Sequence, residues 1–216
     1  MAMMDEETRQ EVKKIFDSLG GEVKFVLFKE NINCPSCPTA EDFLKEVASL
    51  SGNVKLEIYN RYIDEAKNSE YAPAHLPAIF IETPFSGKRV VFYGIPAGYE
   101  FVSFLEAVKV SSSGKPELEP DTFEKFKDLS GKVNIKVFVT PTCPYCPAAV
   151  VLAQRMAVAS EKITAEMVES NEFPHLAAKY QVEGVPKIVI NEKVHLVGAQ
   201  PESVLAAAVV DASRQS

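Results

Sequence analysis

The chain has 216 residues, 46% of them hydrophobic and 25% charged, and a formal net charge of −7 at pH 7. Its length allows one large domain or two of about 100 residues, and its evenly mixed charges exclude a disordered or fibrous chain. The acidic balance, without a basic run, argues against nucleic acid as a partner, and no apolar stretch reaches the roughly 18–20 residues of a membrane span.

In chain order, the first predicted element is a helix over roughly residues 6–19. It has a Glu- and Lys-rich solvated side and an apolar stripe at Val12, Ile15, Phe16 and Leu19. A Val- and Phe-rich strand follows at Val23–Phe28. Cys34-Pro35-Ser36-Cys37-Pro38 then opens a helix. A strand near Val54–Tyr59 leads through a mixed region to Leu76-Pro77, the strand Ala78–Ile81, a hairpin at 83–89, a return strand and a closing helix. Ser111-Ser112-Ser113-Gly114-Lys115-Pro116 is a polar, breaker-rich link.

The same series then repeats. A helix is predicted at 120–129 and a strand at Val133–Val139. Cys143-Pro144-Tyr145-Cys146-Pro147 opens an Ala-rich, buried helix at roughly 144–159, and a weaker strand lies near Lys162–Val168. Val185-Pro186 enters the strand Lys187–Ile190, before a return strand and a last helix. Strands alternating with helices make this an α/β chain. The two Cys pairs are offset by 109 positions, as are Tyr71 and Tyr180, and Pro77 and Pro186. Upstream, Phe16, Leu19 and Gly21 match Phe126, Leu129 and Gly131 at an offset of 110, so one extra residue falls within Lys29–Asn33. Duplication of one unit accounts for this pattern, with the expected domains at 1–113 and 114–216. The N-terminus, Met-Ala-Met-Met-Asp-Glu-Glu, has neither the basic start nor the apolar core of a secretory signal, so the expected location is cytoplasmic.

All four cysteines fall in the two C-x-x-C pairs, which in such a chain points to redox catalysis or metal binding. The unpaired N–H groups and dipole at a helix start stabilise a thiolate. Cys34 and Cys143 are therefore the expected nucleophiles. Cys37 and Cys146, one helical turn on, are the expected resolving thiols. Pro35 and Pro144 suit a first turn, where a missing N–H costs little. The bland readings are a shared Cys₄ zinc site, a structural disulfide and an iron–sulfur cluster bridging two molecules. Zinc ribbons hold their pairs roughly 15–20 residues apart, whereas 105 residues intervene between Cys37 and Cys143. A loop this short gains little from a structural bridge. Redox exchange therefore leads, with no metal and no cofactor expected, because the sulfurs themselves carry the electrons. Each X-Pro dipeptide lies 43 residues after the first Cys of its unit.

On these residues, each half resembles a thioredoxin-fold unit, and Cys-Pro-Tyr-Cys is similar to the glutaredoxin tetrapeptide. The whole chain resembles the glutaredoxin-like protein disulfide oxidoreductases of thermophilic archaea and bacteria. Val137–Pro147, Gly184–Ile190 and Val197–Pro201 carry the likeness most closely. It implies two tandem thioredoxin-like domains, each a mixed central sheet flanked by helices. It further implies that Pro77 and Pro186 are cis and face the Cys pairs, and that Leu76 and Val185 pair with an extended substrate by strand addition. Gly94 and Gly198 would close the grooves, and Tyr145 would touch substrate. The implied activity is dithiol–disulfide exchange on protein substrates (reduction, oxidation or isomerisation), with electrons from a thioredoxin-reductase-like flavoprotein. A relay between such a flavoprotein and a peroxidase of peroxiredoxin type is the alternative, because alkyl hydroperoxide reductase flavoproteins bear a similar segment. A metal or iron–sulfur carrier is the non-enzymatic one. Thioredoxins carry a buried acid six residues before the Cys pair. Here Phe28 and Val137 stand there, leaving Glu30 and Lys136 as weak substitutes. His75 is read as a rim residue, and Tyr71 and Tyr180 as core.

Overall fold

A computed structural model describes residues 4–215. Residues 1–3 and 216, the outermost positions of the two expected domains and part of the N-terminal signal reading, lie outside it. The N-terminal half runs α1 (Glu6–Asp17), β1 (Val23–Lys29), α2 (Cys37–Ala48), β2 (Val54–Asn60), α3 (Glu65–Tyr71), β3 (Ala78–Glu82), β4 (Val90–Tyr93) and α4 (Glu100–Ser113). The C-terminal half repeats it as α5 (Pro120–Lys127), β5 (Val133–Val139), α6 (Cys146–Ala159), β6 (Ile163–Glu169), α7 (Pro174–Lys179), β7 (Lys187–Ile190), β8 (Val194–Val197) and α8 (Glu202–Ser213).

Local chemistry sets these boundaries. Asp5 caps α1, its carboxylate accepting the Thr8 N–H at 2.8 Å. Pro120, Pro147 and Pro174 sit in the first turns of α5, α6 and α7, where a missing N–H costs nothing. Gly114 ends α4 in the left-handed region, φ 64°, its N–H donating to Val110. In the three-residue loop of the second hairpin Asn191 and Glu192 take positive φ, 45° and 64°, and the Lys193 N–H donates to the Ile190 carbonyl at 3.1 Å. The short helices α3 and α7 fall in the stretches read from sequence as a mixed region. They are too short to show a full apolar period.

Among the described residues, eight strands form one sheet in the order β2-β1-β3-β4-β6-β5-β7-β8. Within each half β1 (or β5) is parallel to β2 (or β6) and antiparallel to β3 (or β7). The halves join where β4 pairs with β6 in parallel, Val90 opposite Ala165 and Tyr93 opposite Val168. The strand order and directions repeat, so both Cys-bearing loops leave the same end of the sheet. One face carries the larger core, with Phe16, Phe25, Phe104, Ile135, Val150 and Leu205 among its members. The other carries a smaller core around Phe28, Tyr71, Phe80, Phe138 and Tyr180, under α3 and α7. Tyr71 and Tyr180 are thus core residues, and each hydroxyl donates to a strand-end carboxylate, Glu82 or Glu192.

Candidate functional site

The helix after each Cys pair starts at the second cysteine, two residues later than the 144 expected for the second unit. Cys34 and Cys143 stand in the turn before it. The Cys37 N–H donates to the Cys34 carbonyl at 3.2 Å, which sets the two sulfurs one turn apart. Both pairs are disulfides, with Cα separations of 5.3 Å and 5.5 Å. Cys34 and Cys143 keep 6% and 8% of their surface exposed, against 1% and 0% for Cys37 and Cys146. In each pair the second cysteine is enclosed, and the first is the one that reaches the surface. Tyr145 is 72% exposed beside it.

Among the described residues the cis peptide bonds are Leu76–Pro77 and Val185–Pro186. The Cys143 sulfur lies 3.7 Å from the Val185 carbonyl oxygen, so the X-Pro backbone forms a wall of the second site. Pro77 and Pro186 each accept, through the carbonyl, the N–H of the glycine ending the next strand: Gly94 at 3.1 Å and Gly198 at 2.8 Å. β1 and β5 are four strand spacings apart in the sheet, about 19 Å at 4.8 Å each. Cysteines carried after strands that far apart are out of reach of direct exchange with each other.

No acid stands at the strand positions before the Cys pairs. Val137 belongs to the larger core, with α6. Counting six back from Cys34 reaches Phe28, but the extra residue in the loop shifts the register. Phe28 packs in the smaller core, and Leu27 is the residue on the helix side. Lys136 is one residue out of phase with Val137 and so faces away from α6. It pairs there with Glu166 at 3.4 Å and Glu192 at 2.9 Å. Glu30 is buried after β1.

A further acid comes from the other half. Gly98 (φ 61°) brings the N-terminal half so close to the Cys143 loop that a Cβ there would stand 2.3 Å from the Pro141 oxygen. The Tyr99 N–H donates to that oxygen at 3.0 Å. Glu100 follows, 1% exposed, at the start of α4, which packs along α6. The first turn of α4 therefore lies beside the first turn of α6, where Cys146 sits. Burial pushes the Glu100 carboxyl up to about 7, against the opposing effect of the Ser103 hydroxyl, which donates to it at 2.5 Å. Glu100 Oε1 is enclosed without a hydrogen-bond partner. Sequence reading passed over this residue because it lies 43 positions before Cys143, in the other repeat. Its place at the head of the first unit's closing helix, beside Phe101 and Val102, was the only signal. His75 packs on Tyr93, Phe173 and His175 at centroid distances of 5.2, 5.7 and 6.1 Å. Burial first, then His175, drives it down to about 4, so it is neutral near pH 7.

Among the described residues no group of three His, Cys, Asp or Glu side chains could hold a metal ion, and no helix is long and apolar enough to cross a membrane.

A family model described as a thioredoxin domain matches residues 133–211. A protein disulfide oxidoreductase from Aeropyrum pernix superposes with a TM-score of 0.90 at 30% identity, over 100% of this chain and 96% of its own. The NTD_N/C domain of alkylhydroperoxide reductase AhpF from Enterococcus faecalis gives 0.87 at 28% identity, over 95% of this chain and 99% of its own. Among curated proteins, an alkyl hydroperoxide reductase of Staphylococcus aureus is 24% identical over 189 residues, which is 88% of this chain and 34% of that one. This chain spans about a third of the length of the curated relatives it matches.

Proposed function

Because the chain belongs to the protein disulfide oxidoreductases, tandem thioredoxin folds that perform thiol–disulfide exchange, we propose that Cys34–Cys37 and Cys143–Cys146 are its two reacting centres. In the oxidising direction a substrate thiolate attacks the Cys143 sulfur. The substrate–Cys143 bond forms, the Cys143–Cys146 bond breaks, and Cys146 leaves as a thiolate. A second substrate thiolate then attacks the substrate sulfur of the mixed disulfide, closing the substrate disulfide and releasing Cys143. Two electrons pass to the enzyme, and reduction runs the same steps backwards. Leu76–Pro77 and Val185–Pro186 present the strand edge that holds the substrate, and Tyr145 covers it. Division of the chain at 113/114 gives each centre its own domain, in a cytoplasmic protein.

The observation carrying this reading is that in each disulfide the first cysteine is the more exposed, its sulfur at the second site 3.7 Å from the X-Pro carbonyl. Insulin reduction with dithiothreitol tests it, comparing the parent with Cys34→Ser and Cys143→Ser. The expected result is a parent well above the dithiothreitol background and a large loss in at least one variant. A parent no faster than background refutes it.

The likeness to the Staphylococcus aureus alkyl hydroperoxide reductase over 88% of the chain supports a second reading. There the protein relays electrons from a thioredoxin-reductase-like flavoprotein to a peroxidase. Oxidation of NADPH by such a flavoprotein plus peroxide, dependent on this protein and on a peroxiredoxin, is its test.

A further inference from the structure

The two grooves differ at one corner. In the C-terminal half no heavy atom lies within 4 Å of where a Cβ on Gly198 would stand. That corner is braced by its own loop, the Gln200 amide donating to the Val197 and Gly198 carbonyls at 2.7 and 3.2 Å. In the N-terminal half the equivalent corner packs against the other half. Glu172, between β6 and α7, accepts the Ile95 N–H at 2.7 Å. A Cβ on Gly94 would stand 2.8 Å from both the Glu169 Cβ and Glu172 Oε1, and Gly94 has φ 96°. Glycine at this position is what lets the carboxylate in.

Glu172 is itself held in place. Its N–H donates to Glu169 Oε2 at 2.6 Å, and the Asn171 amide donates to Glu169 Oε1 at 2.9 Å. Glu169 is buried, and Glu172 Oε2 is enclosed without a partner. The repeat offers no such brace in return. Counting back 109 positions from Glu169 and Glu172 gives Asn60, which bonds within its own turn to Tyr62 and Asp64, and Ile63, which is exposed.

We propose that Glu172, in the C-terminal half, is a positioning residue for the N-terminal dithiol site. Its carboxylate fixes the Ile95 N–H. Gly94, one residue back, then presents its N–H to the Pro77 carbonyl, so the Leu76–Pro77 edge stays set for a substrate strand. This rests on Leu76–Pro77 being the substrate-pairing edge. The first site thus borrows its groove wall from the other half, while the second groove is open at the same corner.

The test uses the full chain in two backgrounds, one keeping only Cys34–Cys37 (Cys143→Ser with Cys146→Ser) and one keeping only Cys143–Cys146 (Cys34→Ser with Cys37→Ser). In each, Glu172→Ala, Glu172→Asp and Glu172→Gln are assayed for reduction of a disulfide-bonded peptide. At the Cys34 site Glu172→Ala is expected to raise KM about tenfold, with kcat nearly unchanged. Glu172→Asp, whose carboxylate falls one methylene short, behaves alike and serves if the alanine variant does not fold. Glu172→Gln keeps the acceptor oxygen and restores KM to within about twofold. The Cys143 site is expected not to respond. Unchanged KM at the Cys34 site, an equal rise at both sites, or a glutamine variant no better than alanine would overturn the proposal. A folded Cys34–Cys37 background that turns nothing over would instead remove the reading of the first site, and this inference with it.

Discussion

Replacing Glu100 by glutamine removes a titrating group from the wall between the halves while nearly keeping its shape. The carboxyl is almost wholly enclosed, and burial lifts it from 4.5 to about 7. A carboxyl raised in this way holds a proton in the folded chain that the unfolded chain has already released. Its effect on stability is therefore nil below about 4.5 and grows as a penalty while pH rises to about 7. The gap between the two values corresponds to about 3 kcal/mol. The glutamine variant has no such penalty. In guanidinium unfolding the two proteins should be nearly equal in stability near pH about 4, and the variant more stable by about 3 kcal/mol near pH about 8.5. Alkylation of reduced Cys143, in a chain whose first pair is changed to serine, should lose an inflection near neutrality in the same variant. Stability curves that run parallel across this range would refute the assignment of a buried, proton-holding carboxyl to Glu100.

Two other perturbations act on packing. Gly98→Ala places a Cβ 2.3 Å from the Pro141 oxygen and at φ 61°. It should lower the melting temperature and slow the Cys143 site in peptide reduction, while the Cys34 site keeps its rate. Phe104 is fully buried and meets the rings of Phe25, Phe43, Phe92 and Phe101. Phe104→Ala should cost about 3–5 kcal/mol in denaturant unfolding, and a loss under about 1 kcal/mol would mean that α4 is not seated on the sheet as described.

What could be read from the sequence was what is local or repeated. The strand Val133–Val139 and both X-Pro strand entries needed only β-branched runs and a proline. The Cys pairs announced themselves by spacing, and the duplication multiplied each weak signal by two. What stayed hidden were contacts between the halves. No periodicity in Glu100 or Glu172 tells which distant loop it will meet, and the pairing of β4 with β6 follows from assembly of two finished units. A single inserted residue was enough to misplace Phe28, because a one-residue slip exchanges the two faces of a strand. Lys136 was misjudged for the same reason, its neighbour in sequence being on the other side of the sheet.

The parallel joint between β4 and β6 carries its own hazard. It relates one half to the next by a repeated step, not by a two-fold axis, and such a contact does not close on itself. β8 is the counterpart of β4 and β2 of β6, so in principle the last strand of one molecule could meet the first of another, and the row would grow into a fibre. The outer strands differ from the inner pair in ways that oppose this. β4 is Val-Val-Phe-Tyr and wholly buried, whereas β8 alternates half-covered with open positions and carries His195. β2 lines its edge with Lys55 and Glu57. Short or charged borders of this kind are how a sheet avoids recruiting its neighbours, and both outer strands here have them.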